Sequence, residues 1–287
     1  MNARRNSIEY ASAEIVKWIF SPEERRGYRK PQCESVDWLG SDKPLYWISG
    51  QAGSGKSTLV EHLTGDDQTI KHLMTWKASV NVLQFYFFEI GSSPLQKCLF
   101  GCLRTLLYQI LDRYKDNGNL GRLLSAHPEI AKKDSEHDWS KNELSDLFLK
   151  CLQFDINMAF CLFLDGLDEV QGDERMGLAE LVESLTQLSN VKVCVSSRPE
   201  NPFQRQFGSL PNLRMQDLAN SALEAYVKLT LAKFKASLKV EDDTFQNFTS
   251  DLVEKSEGIF LWVVLALQSI IRGIQNGDTW KLLYTRI

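Results

Sequence analysis

Eight residues near the start of the chain combine glycine, lysine and serine at a spacing that can hold phosphate groups. Residues 50–57 read Gly-Gln-Ala-Gly-Ser-Gly-Lys-Ser and fit the pattern G-x-x-x-x-G-K-[ST]. Glycines let backbone N–H groups approach phosphates, Lys56 adds a mobile positive charge, and the Ser57 hydroxyl is a ligand for Mg²⁺. The stretch therefore predicts a phosphate-binding P-loop. The predicted nucleotide contacts in and beside it are Gly50, Gln51, Ala52, Gly53, Ser54, Gly55, Lys56, Ser57 and Thr58.

The residues on either side of this stretch favour a P-loop over a chance turn. Before it, residues 45–49 form an apolar run with aromatic and β-branched side chains, which predicts a buried strand. After it, Leu59, Val60 and Leu63 have the spacing of one helix face. The alternative interpretation, a glycine–serine turn that happens to precede a lysine, does not require this order of strand, turn and helix.

A second stretch places acidic side chains directly after an apolar strand. Residues 159–164 are apolar throughout and predict a strand buried on both faces, and residues 165–169 read Asp-Gly-Leu-Asp-Glu. In a P-loop site such an aspartate holds Mg²⁺, so Asp165 is the predicted metal ligand. Asp168 and Glu169 are the predicted catalytic carboxylates, either of which would orient or deprotonate the attacking water. An acidic turn after a core strand is the alternative.

A single arginine follows another predicted strand. Residues 191–195 are largely apolar, and Ser-Ser-Arg-Pro follows them, with the arginine at position 198. In open α/β sheets, ligands bind in the crevice at the carboxyl ends of the strands. We therefore include Arg198 among the catalytic candidates, because it would read a γ-phosphate through charge-assisted hydrogen bonds. A solvent-exposed loop arginine is the alternative.

Strands and helices alternate over most of the chain, which predicts an α/β fold with a mainly parallel five-stranded sheet flanked by helices. Residues 65–68 predict a polar break, and residues 115–140 predict a loop with at most one short helix. The predicted strands are residues 45–49, 82–88, 159–164, 191–195 and 213–215. The predicted helices after the P-loop helix are residues 94–114, 141–154 and 174–188.

From residue 220 the pattern becomes entirely helical, which predicts a small all-α subdomain after the sheet. Its predicted helices are residues 223–238, 243–255 and 258–274, with a further helix opening at residues 278–280. The predicted organisation is a lead-in helix and linker over residues 1–35, a nucleotide-binding domain over 36–218 and the helical subdomain over 219–287.

Composition and charge exclude several classes of protein. The 287 residues carry a net charge of −4 and no basic run, so a nucleic-acid partner is not predicted. No apolar stretch reaches about 18 residues, so no membrane span is predicted. The six cysteines lack the spacing of a metal site, and no secretory signal opens the chain. These features favour a reducing, cytoplasmic setting.

Taken together, these motifs resemble the NACHT branch of the STAND P-loop ATPases, in the fungal, nephrocystin-like version of the domain. The strongest resemblance is at residues 165–169, where a small residue follows the metal-binding aspartate and acidic residues come shortly after. The resemblance extends over residues 36–285. The other segments that carry it are residues 38–39, 46–57, 85–88, 101–108, 196–199 and 258–263.

The resemblance implies a signalling switch that binds ATP or ADP with Mg²⁺ inside a larger intracellular receptor. Effector, winged-helix and sensor domains are then expected outside this chain, and the ATP-bound form is expected to self-oligomerise. Fungal members of the family act in non-self recognition and programmed cell death. Many relatives carry Gly-x-Pro where this chain has Gly-Ile-Phe at residues 258–260, so Phe260 is the predicted apolar contact to the nucleotide.

Two other functions remain open at the level of sequence. A P-loop phosphotransferase would need an acceptor pocket and a lid with several arginines, whereas Arg175 and Arg198 are isolated in their segments. A scaffold that binds nucleotide without hydrolysis is the second, although Asp165, Asp168 and Glu169 favour slow nucleoside-triphosphatase activity.

Overall fold

The fold is built on a five-stranded sheet in which every pairing between neighbouring strands is parallel. The computed structural model describes residues 31–90, 93–133, 139–170, 172–234 and 240–287. The strand order across the sheet is β2-β3-β4-β1-β5. The five strands are β1 (Leu45–Ser49), β2 (Val80–Tyr86), β3 (Ala159–Asp165), β4 (Val191–Ser197) and β5 (Asn212–Arg214). This arrangement confirms the predicted fold class.

Helices cover both faces of the sheet, which explains why the strands are continuous apolar runs. Side chains alternate between two cores, as in β1, where Tyr46 and Ile48 join one core and Leu45 and Trp47 join the other. Within the described residues, no helix is both long enough and apolar enough to cross a bilayer. The helices around the sheet are α1 (Pro31–Gly40), α2 (Lys56–Gly65), α3 (Asp67–Trp76), α4 (Leu99–Asp116), α5 (Leu120–Ala126), α6 (Lys141–Gln153), α7 (Arg175–Thr186) and α8 (Asn201–Phe207).

Two local predictions around β2 need correction. The predicted polar break at residues 65–68 is present at Asp66, but helix α3, which begins at Asp67, was not predicted. The Asp66 side chain caps this helix by accepting the Gln68 N–H at 2.8 Å. The predicted helix over residues 94–114 is divided into a 3₁₀ turn, Pro94–Gln96, and the separate helix α4. The two pieces pack closely at Gly101, where a Cβ atom would lie 1.8 Å from the Leu95 carbonyl oxygen.

Helix α6 begins with a capping box. Ser140 Oγ accepts the Glu143 N–H at 3.2 Å, and the Glu143 carboxylate accepts the Ser140 N–H at 2.8 Å. Two polar side chains thus satisfy backbone donors at the helix start, which fixes where α6 begins after the preceding loop. The described residues of that loop include the short helix α5 and a 3₁₀ turn at Ile130–Lys132.

In the described part of the chain after β5 the regular elements are all helical, and they pack around a core of their own. These helices are α9 (Met215–Ala232), α10 (Asp242–Lys255), α11 (Phe260–Gln275) and α12 (Trp280–Tyr284). Because α9 begins directly after β5, the predicted boundary near residue 219 falls inside a continuous helix. The division of the chain into domains therefore stays a prediction.

The predicted lead-in helix at residues 8–20 lies outside the described residues, but the end of the predicted linker is helical. Helix α1 extends the chain in helical form from residue 31 to residue 40, with Trp38 and Leu39 buried in the core beneath β1. The sequence favours a connector before residue 35 because residues 21–32 are polar and basic and contain Pro22 and Pro31.

A buried lysine in the central strand β4 holds the end of α1. Lys192 is 0% exposed, and its Nζ donates to the carbonyl oxygens of Trp38, Leu39 at 3.2 Å and Ser41 at 2.5 Å. The ammonium also lies 4.7 Å from the Trp38 ring centroid and 5.0 Å from that of Trp76. Burial lowers the pKa of Lys192 to about 8. Lys192 thus satisfies carbonyls at the helix end that have no partner within the helix.

Replacing this lysine with an apolar residue of similar length should therefore destabilise the protein. In Lys192→Met the helix-end carbonyls lose their buried donor, which costs roughly 2–3 kcal/mol of unfolding free energy. Urea denaturation followed by tryptophan fluorescence measures the change. Lys71→Met, at an exposed position of α3, is the control and should stay within about 0.5 kcal/mol of the wild type. Equal stability of the two variants would contradict the anchoring role.

Candidate functional site

The predicted phosphate-binding loop lies between β1 and α2, as the sequence predicts. Gly53 and Gly55 adopt positive φ angles of 73° and 93°, a conformation that side-chain-bearing residues rarely adopt. Gly55 directly precedes the first turn of α2, so the loop leads into a helix N-terminus. The free N–H groups and positive dipole end of such a terminus favour phosphate binding. The conformation of the loop therefore fits a polyphosphate.

Lys56 is the first residue of α2, and its partly buried side chain reaches back across this loop. Its Nζ donates to the carbonyl oxygens of Gly50 at 2.7 Å and Gln51 at 3.0 Å. Burial lowers the pKa of Lys56, while the negative charges of Asp168 and Asp165 raise it. The structure thus brings the P-loop lysine close to both predicted acidic residues, which the sequence separates by more than a hundred positions.

Asp165 occupies the carboxyl end of β3 and is almost completely buried, with 1% of its surface exposed. Its Oδ1 accepts a hydrogen bond from Ser196 Oγ on β4, and Ser196 Oγ accepts the Gly166 N–H at 3.0 Å. A carboxylate from Asp165 and a hydroxyl from Ser57 are the oxygen ligands that Mg²⁺ prefers. The donor set therefore fits the predicted metal ion.

The carboxylates of Asp168 and Glu169 both accept hydrogen bonds from the protein. Asp168 Oδ1 accepts the Arg198 N–H at 3.0 Å, and its Oδ2 lies 3.0 Å from Arg198 Nε. Glu169 Oε2 accepts the Glu89 N–H at 3.0 Å. Arg198 is 45% exposed, as in the alternative of a solvent-exposed loop arginine, but it is held in an ion pair with Asp168. Its contact with a γ-phosphate stays a prediction. Water activation by Asp168 or Glu169 stays a prediction.

Helix α11 contributes contacts to the P-loop that local sequence patterns do not reveal. The Leu261 N–H donates to the Gly53 carbonyl oxygen at 2.9 Å, so the first turn of α11 lies against the loop. A Cβ atom on Gly55 would lie 3.9 Å from Phe260 Cβ, and one on Gly50 would lie 2.8 Å from Met215 Cβ. Phe260 therefore lies beside the loop, and its predicted contact with nucleotide stays a prediction.

Arg175 is a second residue near the site to which the sequence predictions gave no role. It is the first residue of α7, and its Nη2 donates to the Asp168 carbonyl oxygen at 2.7 Å. Its position shortly after the acidic stretch is the only signal in the sequence, and no motif includes it. Within the described residues, Arg175 and Arg198 both contact Asp168, one at its backbone and the other at its side chain.

A family comparison covers the residues that form this site. The profile of the family described as "Nephrocystin 3, N-terminal" matches residues 30–198, which is more than half of the chain. The chain belongs to the nephrocystin 3 N-terminal family. The matched segment runs from α1 through the P-loop and the acidic stretch to Arg198.

One curated relative of this nephrocystin 3 N-terminal chain is the vegetative incompatibility protein HET-E-1 of Podospora anserina. The two are 24% identical over 241 residues, which is 80% of this chain and 17% of the relative. The chain therefore spans about a sixth of the length of that protein. Together with the family match, this similarity supports a NACHT/STAND NTPase-like protein, as the resemblance predicts.

Two solved structures give weaker likenesses. Caenorhabditis elegans PCH-2 is 11% identical with a TM-score of 0.46, over 95% of this chain and 63% of that chain. Cdc6p of Pyrobaculum aerophilum is 13% identical with a TM-score of 0.37, over 91% of this chain and 67% of that chain. The fold class is shown by the parallel sheet of the chain itself.

Removing the Lys56 side chain should weaken nucleotide binding without unfolding the protein. In Lys56→Ala the phosphates lose a charged donor, so the Kd for Mg²⁺·ADP should rise roughly 10- to 100-fold. Isothermal titration calorimetry measures the Kd, and circular dichroism checks the fold. Lys115→Ala, at an exposed position of α4, is the control. Retained affinity in Lys56→Ala would contradict the P-loop assignment.

Nucleotide binding should also take up protons at alkaline pH. Burial lowers the pKa of Lys56 below its ordinary value of 10.5, and bound phosphates would raise it again. At a pH between these two pKa values, Lys56 has lost its proton in the free protein but retains it in the complex. At alkaline pH below 10.5, the calorimetric enthalpy should therefore vary with the ionisation enthalpy of the buffer in the sense of proton uptake. Proton release in this range would contradict the burial of Lys56.

Proposed function

We propose that this chain is an ATP/ADP-binding switch module of a signalling protein, with Mg²⁺ as its metal ion. The observation that carries the proposal is the hydrogen bond from the Leu261 N–H in α11 to the Gly53 carbonyl oxygen in the P-loop. This hydrogen bond connects the P-loop, which would bind the phosphates, with the helices after β5, which would move. The experiment that tests it is the removal of this one N–H group.

The geometry around this bond supports direct communication between nucleotide and helices. Leu261 N–H belongs to the first turn of α11, where backbone donors have no partner within the helix. A Cβ atom on Gly53 would lie 3.1 Å from Leu261 Cβ, so loop and helix are already in close contact. A change in the P-loop backbone must therefore either move α11 or lose this hydrogen bond.

One hydrogen bond alone is too weak to operate a complete switch. Moving a two-state protein from one form almost entirely to the other requires about 5.5 kcal/mol of differential binding. A neutral hydrogen bond contributes about 0.5–1.5 kcal/mol. The remaining difference would come from γ-phosphate contacts of Lys56 and Arg198 and from the packing of Phe260 and Met215 beside the loop. We therefore propose several small contacts that act together.

The biological setting follows by analogy with the curated relative and the family. HET-E-1 is named a vegetative incompatibility protein, and we propose a related role for this chain in fungal non-self recognition or programmed cell death. Slow ATP hydrolysis would reset the switch, and ATP binding would open it and permit self-oligomerisation. Effector and sensor domains would be supplied by other parts of a larger cytoplasmic protein.

Replacing Leu261 with proline removes the N–H group and should uncouple α11 from the P-loop. Proline is tolerated in the first turn of a helix, because the N–H has no helical partner there. Hydrogen exchange measures how strongly Mg²⁺·ADP changes the protection of α11. We expect this nucleotide effect to shrink roughly 2- to 10-fold in Leu261→Pro, in line with the loss of one hydrogen bond.

Two controls separate the amide from its side chain and from proline itself. Leu261→Ala keeps the N–H group, and Asp243→Pro places proline at the equivalent second position of α10. Both should retain the wild-type effect of nucleotide on α11. An unchanged effect in Leu261→Pro, with nucleotide still bound, would contradict the proposed coupling.

A further inference from the structure

The guanidinium group of Arg175 contacts three residues beside the candidate site. Its Nη2 donates to the Asp168 carbonyl oxygen at 2.7 Å, and its Nε donates to the Val170 carbonyl oxygen at 3.1 Å. Its Nη1 lies 3.5 Å from Glu200 Oε2 in the segment that follows Arg198. The guanidinium therefore fixes the backbone of the acidic loop and pairs with the loop after β4.

Asp168 in turn holds Arg198 at two points. Its side chain is only 7% exposed; its Oδ1 accepts the Arg198 backbone N–H at 3.0 Å, and its Oδ2 forms an ion pair with Arg198 Nε at 3.0 Å. A hydrogen bond and an ion pair to one residue restrict both the chain direction and the side-chain direction of Arg198. Because both oxygens are used in this way, the geometry favours a positioning role for Asp168.

Arg198 lies beside the P-loop, because the carbonyl oxygen of Ser197, the residue directly before it, accepts the Gly50 N–H at 3.3 Å. Its positive charge lowers the pKa of Lys56, whereas the charge of Asp168 raises it. An arginine beside the P-loop can distinguish a triphosphate from a diphosphate only if its direction is fixed. The direction is fixed by Asp168, and the backbone of Asp168 is fixed by Arg175.

We propose that Arg175 is a positioning residue for the discrimination of ATP from ADP, acting through Asp168 on Arg198. This inference rests on the proposed function, because it assumes that nucleotide binds at the P-loop. The contacts of Arg175 described above are with Asp168, Val170 and Glu200, none of which belongs to the P-loop. Its loss should therefore change the ratio of the two affinities and leave ADP affinity nearly unchanged.

The planar guanidinium group, with its N–H donors in fixed directions, is essential to the proposed positioning role of Arg175. Arg175 donates in three directions, to two carbonyl oxygens and towards one carboxylate. Lysine has a single compact charge and cannot reproduce these fixed directions. Arg175→Lys should therefore behave like Arg175→Met in nucleotide discrimination, although it keeps the positive charge and the fold. A purely electrostatic role for Arg175 predicts the opposite, namely full rescue by lysine.

The test measures the Kd of Mg²⁺·ADP and of a non-hydrolysable ATP analogue by calorimetry. We expect the ratio of the ADP Kd to the analogue Kd to fall roughly 3- to 10-fold in Arg175→Met, Arg175→Lys and Arg198→Met. The double variant Arg175→Met/Arg198→Met should show no larger fall than Arg198→Met alone, because both changes remove one interaction. Arg205→Met, an exposed arginine of α8, is the matched control.

The possible outcomes separate this inference from the proposed function. If the wild-type chain binds neither nucleotide, the proposed function fails, and this inference fails with it. If both nucleotides bind and Arg175→Lys keeps the wild-type ratio, only the inference is overturned. An additive fall in the double variant would also overturn it, because Arg175 would then act independently of Arg198. Arg175→Lys keeps the test decisive even where Arg175→Met is poorly folded.

Discussion

The parallel register of β1, β4 and β3 is the constraint on which the candidate site depends. Ile48 is paired with Ser196, and Leu164 is paired with Val195, so the ends of the three strands lie at the same edge of the sheet. The hydrogen bond from Ser196 to Asp165 joins two of these ends. A slip of one residue would turn alternate side chains to the opposite face and separate these groups. The buried apolar faces of the strands, which set the register, therefore also determine the positions of the polar groups at the strand ends.

Side-chain contacts at the two ends of β4 attach other parts of the chain to this sheet. Near its start, Lys192 holds the carbonyl end of α1. Just beyond its end, Arg198 pairs with Asp168, and the backbone of the acidic loop is held by Arg175. Helix α11 contacts the P-loop through Leu261. The central strand β4 thus holds α1 through Lys192 near its start and leads into the candidate site through Arg198 just beyond its end.

Local sequence patterns predicted the strands and the loops that follow them, because apolar runs and glycine spacing act over a few residues. Helix α3 was missed because its capping residue, Asp66, lies in a polar stretch that is also typical of loops. Arg175 and Leu261 were given no role because their partners are set by tertiary packing. The ion pair of Arg198 with Asp168 likewise depends on the register of distant strands.

The central claim is that a nucleoside triphosphate binds at the carboxyl edge of the sheet, with its magnesium ion between the P-loop and the end of β3. The most direct measurement is a crystal structure with Mg²⁺ and a non-hydrolysable ATP analogue. The account predicts phosphates on the backbone amides of the loop, in contact with Lys56, and the metal ion near Ser57 and Asp165. A nucleotide bound elsewhere, or a metal ion remote from Asp165, would contradict it.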